Sequence, residues 1–117
     1  MTGEPLRVLF CLGVSQTFFD EEGANVSGIA SAITEAFDDL HGRFGIDVLG
    51  TFDDDRVMVG PSPHFPWTAY ILADAPSLDA VVQVCNILRE GPVGPHRLWR
   101  YMRIEARVGQ KLFFGNS

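Results

Sequence analysis

The sequence predicts an α+β fold, in which one four-stranded antiparallel sheet carries two helices on one face. Two observations support this expectation. Short segments rich in strand-forming residues recur along the chain, and between them lie two longer segments whose apolar residues have helical spacing. The order is β-α-β, a hairpin and a loop, then β-α-β. This order suits a single layer of strands covered by helices on one side.

The first half of the chain predicts a strand, a helix and a second strand. Residues 6–14 are rich in strand formers, and their even positions are all large and apolar. Residues 24–40 carry an apolar stripe with 3.6-residue spacing, and Gly42 supplies its C-terminal stop. Residues 44–52 then alternate as a strand that places Ile46, Val48 and Phe52 on one face and Asp47, Leu49 and Thr51 on the other.

The second half repeats this arrangement after a turn and a loop. Residues 53–55 are three aspartates with turn chemistry, and residues 56–60 are a candidate for a short returning strand. The loop 61–66 contains three prolines, which forbid regular pairing. Residues 67–73 predict a third strand, and the helix that follows begins near Pro76 and ends at Gly91.

The last predicted strand, residues 96–109, has two unlike faces. Its even positions are apolar except for Arg100, whereas its odd positions are aromatic or charged. The whole order suits the ferredoxin-like sandwich, with residues 1–117 as a single domain. The helices cover the apolar parity, so the opposite sheet face is expected to hold Leu9, Cys11, Thr51, Trp99, Tyr101, Arg103 and Glu105, with Tyr70 favoured from the third strand.

An exposed sheet face that carries Leu9, Trp99 and Tyr101 predicts an interface or a binding groove. One four-stranded sheet cannot close on itself, but two copies can stack face to face. The sequence therefore predicts a homodimer with a cavity between its two sheets. The apolar tail 112–114 is a candidate for an additional contact across the dimer or on its own sheet edge.

The composition narrows the function classes. The chain has 117 residues and a net charge of −6, which disfavours nucleic acid because phosphates would be repelled. No apolar run is long enough for a membrane span and no secretion signal is present, so a cytoplasmic protein is expected. Cys11 and Cys85 are expected in different layers of the fold as reduced thiols.

Four segments of the chain resemble a known family. They are "VLFCLGVSQTFFDE", "VLGTFDDDRVMVG", "PWTAYILADAPSLDAVVQVCNILRE" and "LWRYMRIEARVGQKLFFG". The element order and the length resemble the dimeric α/β-barrel superfamily. The segments resemble the IacB-like proteins encoded with bacterial enzymes of indole-3-acetate degradation. This resemblance implies a role in the oxidative breakdown of indole-3-acetate, without deciding whether this chain catalyses a step.

A ligand with a flat aromatic ring and one carboxylate requires aromatic walls and a cation. Trp99 and Tyr101 are predicted to hold the ring, and Cys11 and Thr51 to line the same cavity. Five of the nine lysines and arginines lie in the last segment, and Arg103 is the first choice for the carboxylate, ahead of Arg97 and Arg107. The alternative is that Arg103 pairs with Glu105 or Asp47.

The candidates for proton transfer are His64, Tyr70 and Glu105. No nucleotide or flavin motif is present, and residues 53–55 suit a solvated turn better than a metal site, so neither cofactor nor metal is expected. The predicted function is cofactor-independent processing of an oxidised indole-3-acetate intermediate. The alternatives are a non-catalytic accessory protein for an indole-acetate monooxygenase, and a dimer whose stacked sheets leave no cavity.

Overall fold

The structure of the chain is a computed structural model that describes residues 5–21, 23–57, 59–60 and 67–116. Its strands and helices run in the order β1 (Leu6–Val14), α1 (Gln16–Phe19), α2 (Gly23–Ala36), α3 (Leu40–Phe44), β2 (Asp47–Asp53), β3 (Ala69–Ala75), α4 (Leu78–Cys85), α5 (Ile87–Glu90), β4 (Pro92–Val93), β5 (His96–Arg97), a 3-10 turn (Leu98–Arg100) and β6 (Met102–Gly109).

The main sheet has four strands in the order β2-β3-β1-β6, and every neighbouring pair is antiparallel. The first and third strands of the chain therefore lie in the centre of this sheet, and the second and fourth lie at its edges. This arrangement is the ferredoxin-like fold, as the sequence predicts. A separate two-stranded hairpin joins β4 to β5.

The hydrophobic core lies between the sheet and the helices. Val8, Phe10 and Leu12 of β1 project into it from the even positions, as predicted from their alternation. They meet buried residues of the helices, which include Ile29, Leu40, Val81, Val84, Ile87 and Leu88. The opposite face of the sheet is covered by no helix among the described residues, and this surface is called the open face below.

The two predicted helices are each interrupted. Asp39 has a φ of 50°, in the left-handed region, so the first helical segment divides into α2 and α3. The stop is Gly45 with a φ of 72°, and the prediction that Gly42 ends this segment was wrong. Ser77 begins α4 by accepting a hydrogen bond from the Ala80 amide, and Gly91 ends α5 as expected.

A β-bulge in β2 reverses the predicted faces of the second half of that strand. Val48 lies opposite Ala73, but Gly50 lies opposite Leu72, so Leu49 is the additional residue. Beyond the bulge, Thr51 lies opposite Ile71 on the helix side, and Phe52 lies opposite Tyr70 on the open face. The predicted placement of Thr51 in the cavity was therefore wrong, because one extra residue exchanges the two faces.

The last strand is shorter than predicted. The hairpin β4–β5 and the 3-10 turn occupy residues 92–100, so regular alternation begins only at Met102.

Residues 54–57 and 59–60 form no strand, in contrast to the short returning strand considered for residues 56–60. Among the described residues, no helix is both long and apolar enough to cross a membrane.

Candidate functional site

The open face is defined by the strand registers as three cross-strand rows and one shorter pair. The rows are Asp47–Asp74–Arg7–Gly109, Gly50–Leu72–Leu9–Arg107 and Phe52–Tyr70–Cys11–Glu105, followed by the pair Gly13–Arg103. Its centre is apolar and aromatic, the margin at β2 is acidic, and the margin at β6 carries two arginines. Tyr70, Cys11, Glu105 and Arg103 thus lie on the face predicted for them, while their chemical roles stay predictions.

Aromatic and titratable groups of the open face are already engaged with one another. Phe52 and Tyr70 stack with ring centroids 6.1 Å apart. The Tyr70 hydroxyl donates to Asp54 Oδ2 at 3.3 Å. Burial of the ring, followed by the nearby Asp54 carboxylate, raises the pKa of Tyr70 above its ordinary value. Tyr70 is therefore a protonated donor at neutral pH, unsuited to act as a base.

Two carboxylates of the open face form ion pairs with arginines of the same face. Arg107 Nη2 lies 2.8 Å from Glu105 Oε2, and Arg7 Nε donates to Asp74 Oδ1 at 2.7 Å. The partner of Glu105 is thus Arg107, which lies two residues further along β6. The alternative that Arg103 pairs with Glu105 was wrong, because Glu105 pairs with Arg107 and the Arg103 guanidinium donates to backbone carbonyls instead.

Tyr101 lies away from the open face. Its side chain is only 3% exposed and belongs to the core cluster between the sheet and the helices. The hydroxyl donates to Glu21 Oε1 at 3.1 Å, and burial followed by this hydrogen bond raises the pKa of Tyr101. The prediction that Tyr101 lines a sheet-face cavity was wrong, since the 3-10 turn breaks the strand alternation before this residue.

Trp99 is also absent from the open face, because it belongs to the 3-10 turn. Its side chain remains 55% exposed at the β6 edge of the sheet. There it lines a groove of ≈ 640 Å³, which we name the Trp99 groove. The groove residues are Cys85, Asn86, Leu88, Arg89, Trp99, Arg100, Met102, Arg103 and Ile104.

Arg103, the second residue of β6, also lines this groove. Its Nη1 donates to the carbonyl oxygen of Trp99 at 2.7 Å and to that of Met102 at 3.0 Å. No carboxylate pairs with Arg103 in the part of the chain that the structure describes. Asp47, the other expected partner, contacts His41 instead, with Oδ1 at 2.7 Å from Nδ1. A guanidinium has five N–H donors, so Arg103 keeps donors for a ligand.

Two groove arginines were missed in the sequence. Arg89 lies at the end of α5 with its guanidinium carbon 5.4 Å from the Trp99 ring centroid, a cation–π contact. Arg100 follows Trp99 in the turn and lies 5.9 Å from the Tyr101 ring. Arg100 is the one charged residue among the otherwise apolar even positions of the predicted strand, and this irregularity indicated the break in the strand.

The groove also contains one thiol. Cys85 is half-buried at the end of α4, and burial raises the pKa of its thiol. Cys11 lies in the sheet, on the open face of β1, where it is 2% exposed and outside the core cluster. Both cysteines are free. The remaining predicted catalytic residue, His64, lies outside the described residues. Within those residues, no three histidine, cysteine or acidic side chains converge as a metal site.

The fold and site define a ferredoxin-like α+β protein with a cationic, aromatic groove at one sheet edge. A protein of unknown function from Rhodopseudomonas palustris has a similar structure, with a TM-score of 0.52 at 16% identity, over 93% of this chain and 85% of that chain. A protein from Bacteroides fragilis described as dimeric and ferredoxin-like aligns at a TM-score of 0.41 and 11% identity, over 92% and 98% of the two chains. No protein-family model and no curated protein matches the sequence.

Proposed function

We propose that this chain binds a small aromatic carboxylate in the Trp99 groove. The observation that carries the proposal is one exposed tryptophan surrounded by three arginines, Arg89, Arg100 and Arg103. The floor beneath them is apolar and includes Leu88, Met102 and Ile104. The groove volume of ≈ 640 Å³ lies in the range of about 300–1,000 Å³ typical of small-molecule sites.

The chemistry of the groove favours an anion with a flat ring. Its lining includes no aspartate or glutamate, although the whole chain has a net charge of −6. A planar ring stacks on the Trp99 indole, and a guanidinium holds a carboxylate through two parallel hydrogen bonds. Arg100 and Arg103 flank Trp99 in the chain and are the carboxylate anchors in this proposal. Indole-3-acetate and its oxidised derivatives belong to this ligand class.

The groove supports binding or carriage of the ligand better than its conversion. Its one nucleophile is the Cys85 thiol, whose raised pKa keeps it protonated at neutral pH. The arginines bind charge without exchanging protons at neutral pH. We therefore favour the non-catalytic accessory role, in which the protein holds an indole-acetate derivative for an oxygenase of the same degradation process.

Calorimetric titration with indole-3-acetate tests this proposal. Arg100→Gln and Trp99→Ala should each weaken binding about tenfold, because each removes a charge-assisted bond or a stacking surface. Arg97→Gln is the matched control, since Arg97 is exposed, outside the groove and carries the same charge. Indole-3-acetamide should bind at least as weakly as the Arg100 variant binds the acid. Equal affinity of the acid for all three variants and the unaltered protein would refute the proposal.

A homodimer is the second part of the proposal, and the open face is its interface. The face combines an apolar centre with acidic groups at β2 and β3 and arginines at β6. If the twofold axis runs parallel to the strands between the two stacked sheets, β2 of one copy lies against β6 of the other. Asp47 and Asp54 then meet the partner's arginine margin, whereas an axis across the strands places like charges together.

Light scattering distinguishes this interface from the rest of the surface. Leu72→Glu places a charge in the centre of the open face and should convert a dimer into a monomer. Val82→Glu makes a comparable change on an exposed residue of α4, on the helix side, and should leave the dimer intact. A dimer that survives Leu72→Glu, or an unaltered protein that is monomeric at micromolar concentration, would contradict the stacking.

Cofactor-independent processing of the oxidised intermediate is the other candidate function, and one observation favours it. Tyr70, a protonated donor linked to Asp54, shares a cross-strand row with Cys11 and Glu105 on the face that stacking would enclose. Incubation of the isolated protein with hydroxylated indole-3-acetate, followed by mass spectrometry, separates the two functions. Turnover that is lost in Tyr70→Phe establishes processing, whereas an unchanged compound leaves the binding role.

A further inference from the structure

A second cavity lies on the other side of the 3-10 turn, between α2 and the hairpin β4–β5. Its volume is ≈ 540 Å³, and none of its lining residues belongs to the Trp99 groove. Two glutamates, Glu21 and Glu35, are the charged residues of the lining. We propose that this α2–hairpin cavity binds an aliphatic polyamine. The proposal rests on this cavity and is independent of aromatic carboxylate binding.

The two carboxylates lie near opposite ends of the cavity. Glu21 precedes the first residue of α2, and Glu35 is the penultimate residue of that helix. The twelve steps from Gly23 to Glu35 correspond to about 18 Å along the helix axis at about 1.5 Å per step. A compact cation cannot contact both ends at once. A flexible chain with an ammonium group at each end can, and a polyamine has this shape.

The middle of the cavity has room for a methylene chain. Gly28, Ser31 and Ala32 are small residues that follow one another around one side of α2. A Cβ atom built on Gly28 meets nothing within 4 Å, so the space beside the helix is open. The opposite wall is the hairpin, in which Pro92 and Pro95 restrict the backbone.

The carboxylate of Glu21 is held in place for such a ligand. Tyr101 donates to Oε1 at 3.1 Å, and Asn25 Nδ2 donates to Oε2 at 3.1 Å. A carboxylate has about four acceptor positions, so two remain for an ammonium group. His96 packs edge-on against the Tyr101 ring, with centroids 6.4 Å apart, and completes an aromatic end of the cavity that suits a cation.

Calorimetric titration with spermidine tests the proposal on the whole chain. Glu21→Gln and Glu35→Gln should each weaken spermidine binding about tenfold, by loss of one charged contact. Glutamine at position 21 can still accept the Tyr101 hydrogen bond, so the fold is retained. Asp55→Asn removes the same charge from an exposed turn outside the cavity and should change the affinity less than twofold.

A second variant tests the cavity without changing any charge. Gly28→Leu places a side chain in open space and should abolish spermidine binding, while circular dichroism shows an intact fold. Butylamine and Mg²⁺ should bind at least tenfold more weakly than spermidine, since one lacks the second charge and the other the chain. The proposal is overturned if Asp55→Asn weakens binding as much as the glutamate variants, if Gly28→Leu binds normally, or if spermidine does not bind.

Discussion

The Trp99 groove and the α2–hairpin cavity lie side by side and have opposite chemistry. The groove presents three arginines and a tryptophan, with no acidic residue in its lining. The cavity presents two glutamates, with no lysine or arginine in its lining. Both are similar in volume, at ≈ 640 and ≈ 540 Å³. A net charge of −6 therefore gives no guide to either site, because the fold separates the charges locally.

One short segment places side chains in both sites. Trp99 and Arg100 project toward the groove, whereas Tyr101, the next residue, lines the cavity. Leu98 begins this segment and is fully buried beneath it. The Leu98 amide donates to the Gly91 carbonyl at 2.9 Å, which joins the turn to the end of α5. The two sites thus share one structural support.

The largest expected effect comes from removing that support. Leu98→Ala deletes a fully buried side chain and should lower the free energy of unfolding by about 2–5 kcal/mol. Chemical denaturation measures this change. Where the variant is still folded, affinity for indole-3-acetate and for spermidine should fall together. Val82→Ala, at an exposed position of α4, is the control and should cost less than about 1 kcal/mol.

Charge reversal in the groove should separate the two sites. The double variant Arg89→Glu and Arg103→Glu should reduce indole-3-acetate affinity by about a hundredfold, because two attractions become repulsions. Spermidine affinity should change less than about threefold, since both residues lie outside the cavity. Titration of one preparation with both ligands gives the comparison. A matched loss of both affinities would show that the two sites do not act independently.

A smaller effect should appear at alkaline pH. The chain has two tyrosines, Tyr70 and Tyr101, and burial followed by a neighbouring carboxylate raises the pKa of each above 10.0. The folded protein then holds these protons more tightly than the unfolded chain. The corresponding stability is present below pH 10.0 and is lost as the pH rises through the folded-state values.

Tyrosinate absorbance measures both groups directly. Each of Tyr70→Phe and Tyr101→Phe should leave one transition, still above pH 10.0. A transition at the ordinary tyrosine value in either folded variant would contradict the burial of the remaining ring.

The smallest expected effect concerns the thiol in the groove. Burial raises the Cys85 pKa, so alkylation at neutral pH should be slower than that of a free thiol. Saturating indole-3-acetate should slow it a further few-fold by covering the groove, and spermidine should not. Cys11→Ser removes the other thiol, so that mass spectrometry follows Cys85 alone. Protection by spermidine and not by the acid would reverse the assignment of the two sites.

Much of the architecture could be predicted because the alternation of β1 is uninterrupted. Its even positions fill the core and its odd positions lie on the open face. The antiparallel registers place Tyr70 and Glu105 opposite Cys11, and therefore on the open face as well. These strands have two unlike sides, and burial allows only one orientation. The ferredoxin-like fold and the placement of Cys11 follow from the same reasoning.

The candidate site was less predictable because it depends on interruptions of that alternation. One additional residue at Leu49 moves Phe52 to the open face and Thr51 away from it. Gly50, beside the bulge, was the local indication. The 3-10 turn likewise separates Trp99 from Tyr101. Arg89 joins the groove from α5 through tertiary packing, which no local pattern in the sequence reports.

The edge strand β2 has a consequence for the solubility of this protein. Every residue of β2 is exposed, and among the described residues it pairs on one side only, with β3. Its segment VLGTF has the composition of strands that join other molecules edge to edge and grow into fibrils. Asp47 and the aspartates at 53–55 bracket that segment with negative charge. Replacing them with asparagine should leave the fold intact and turn this edge into a site of aggregation.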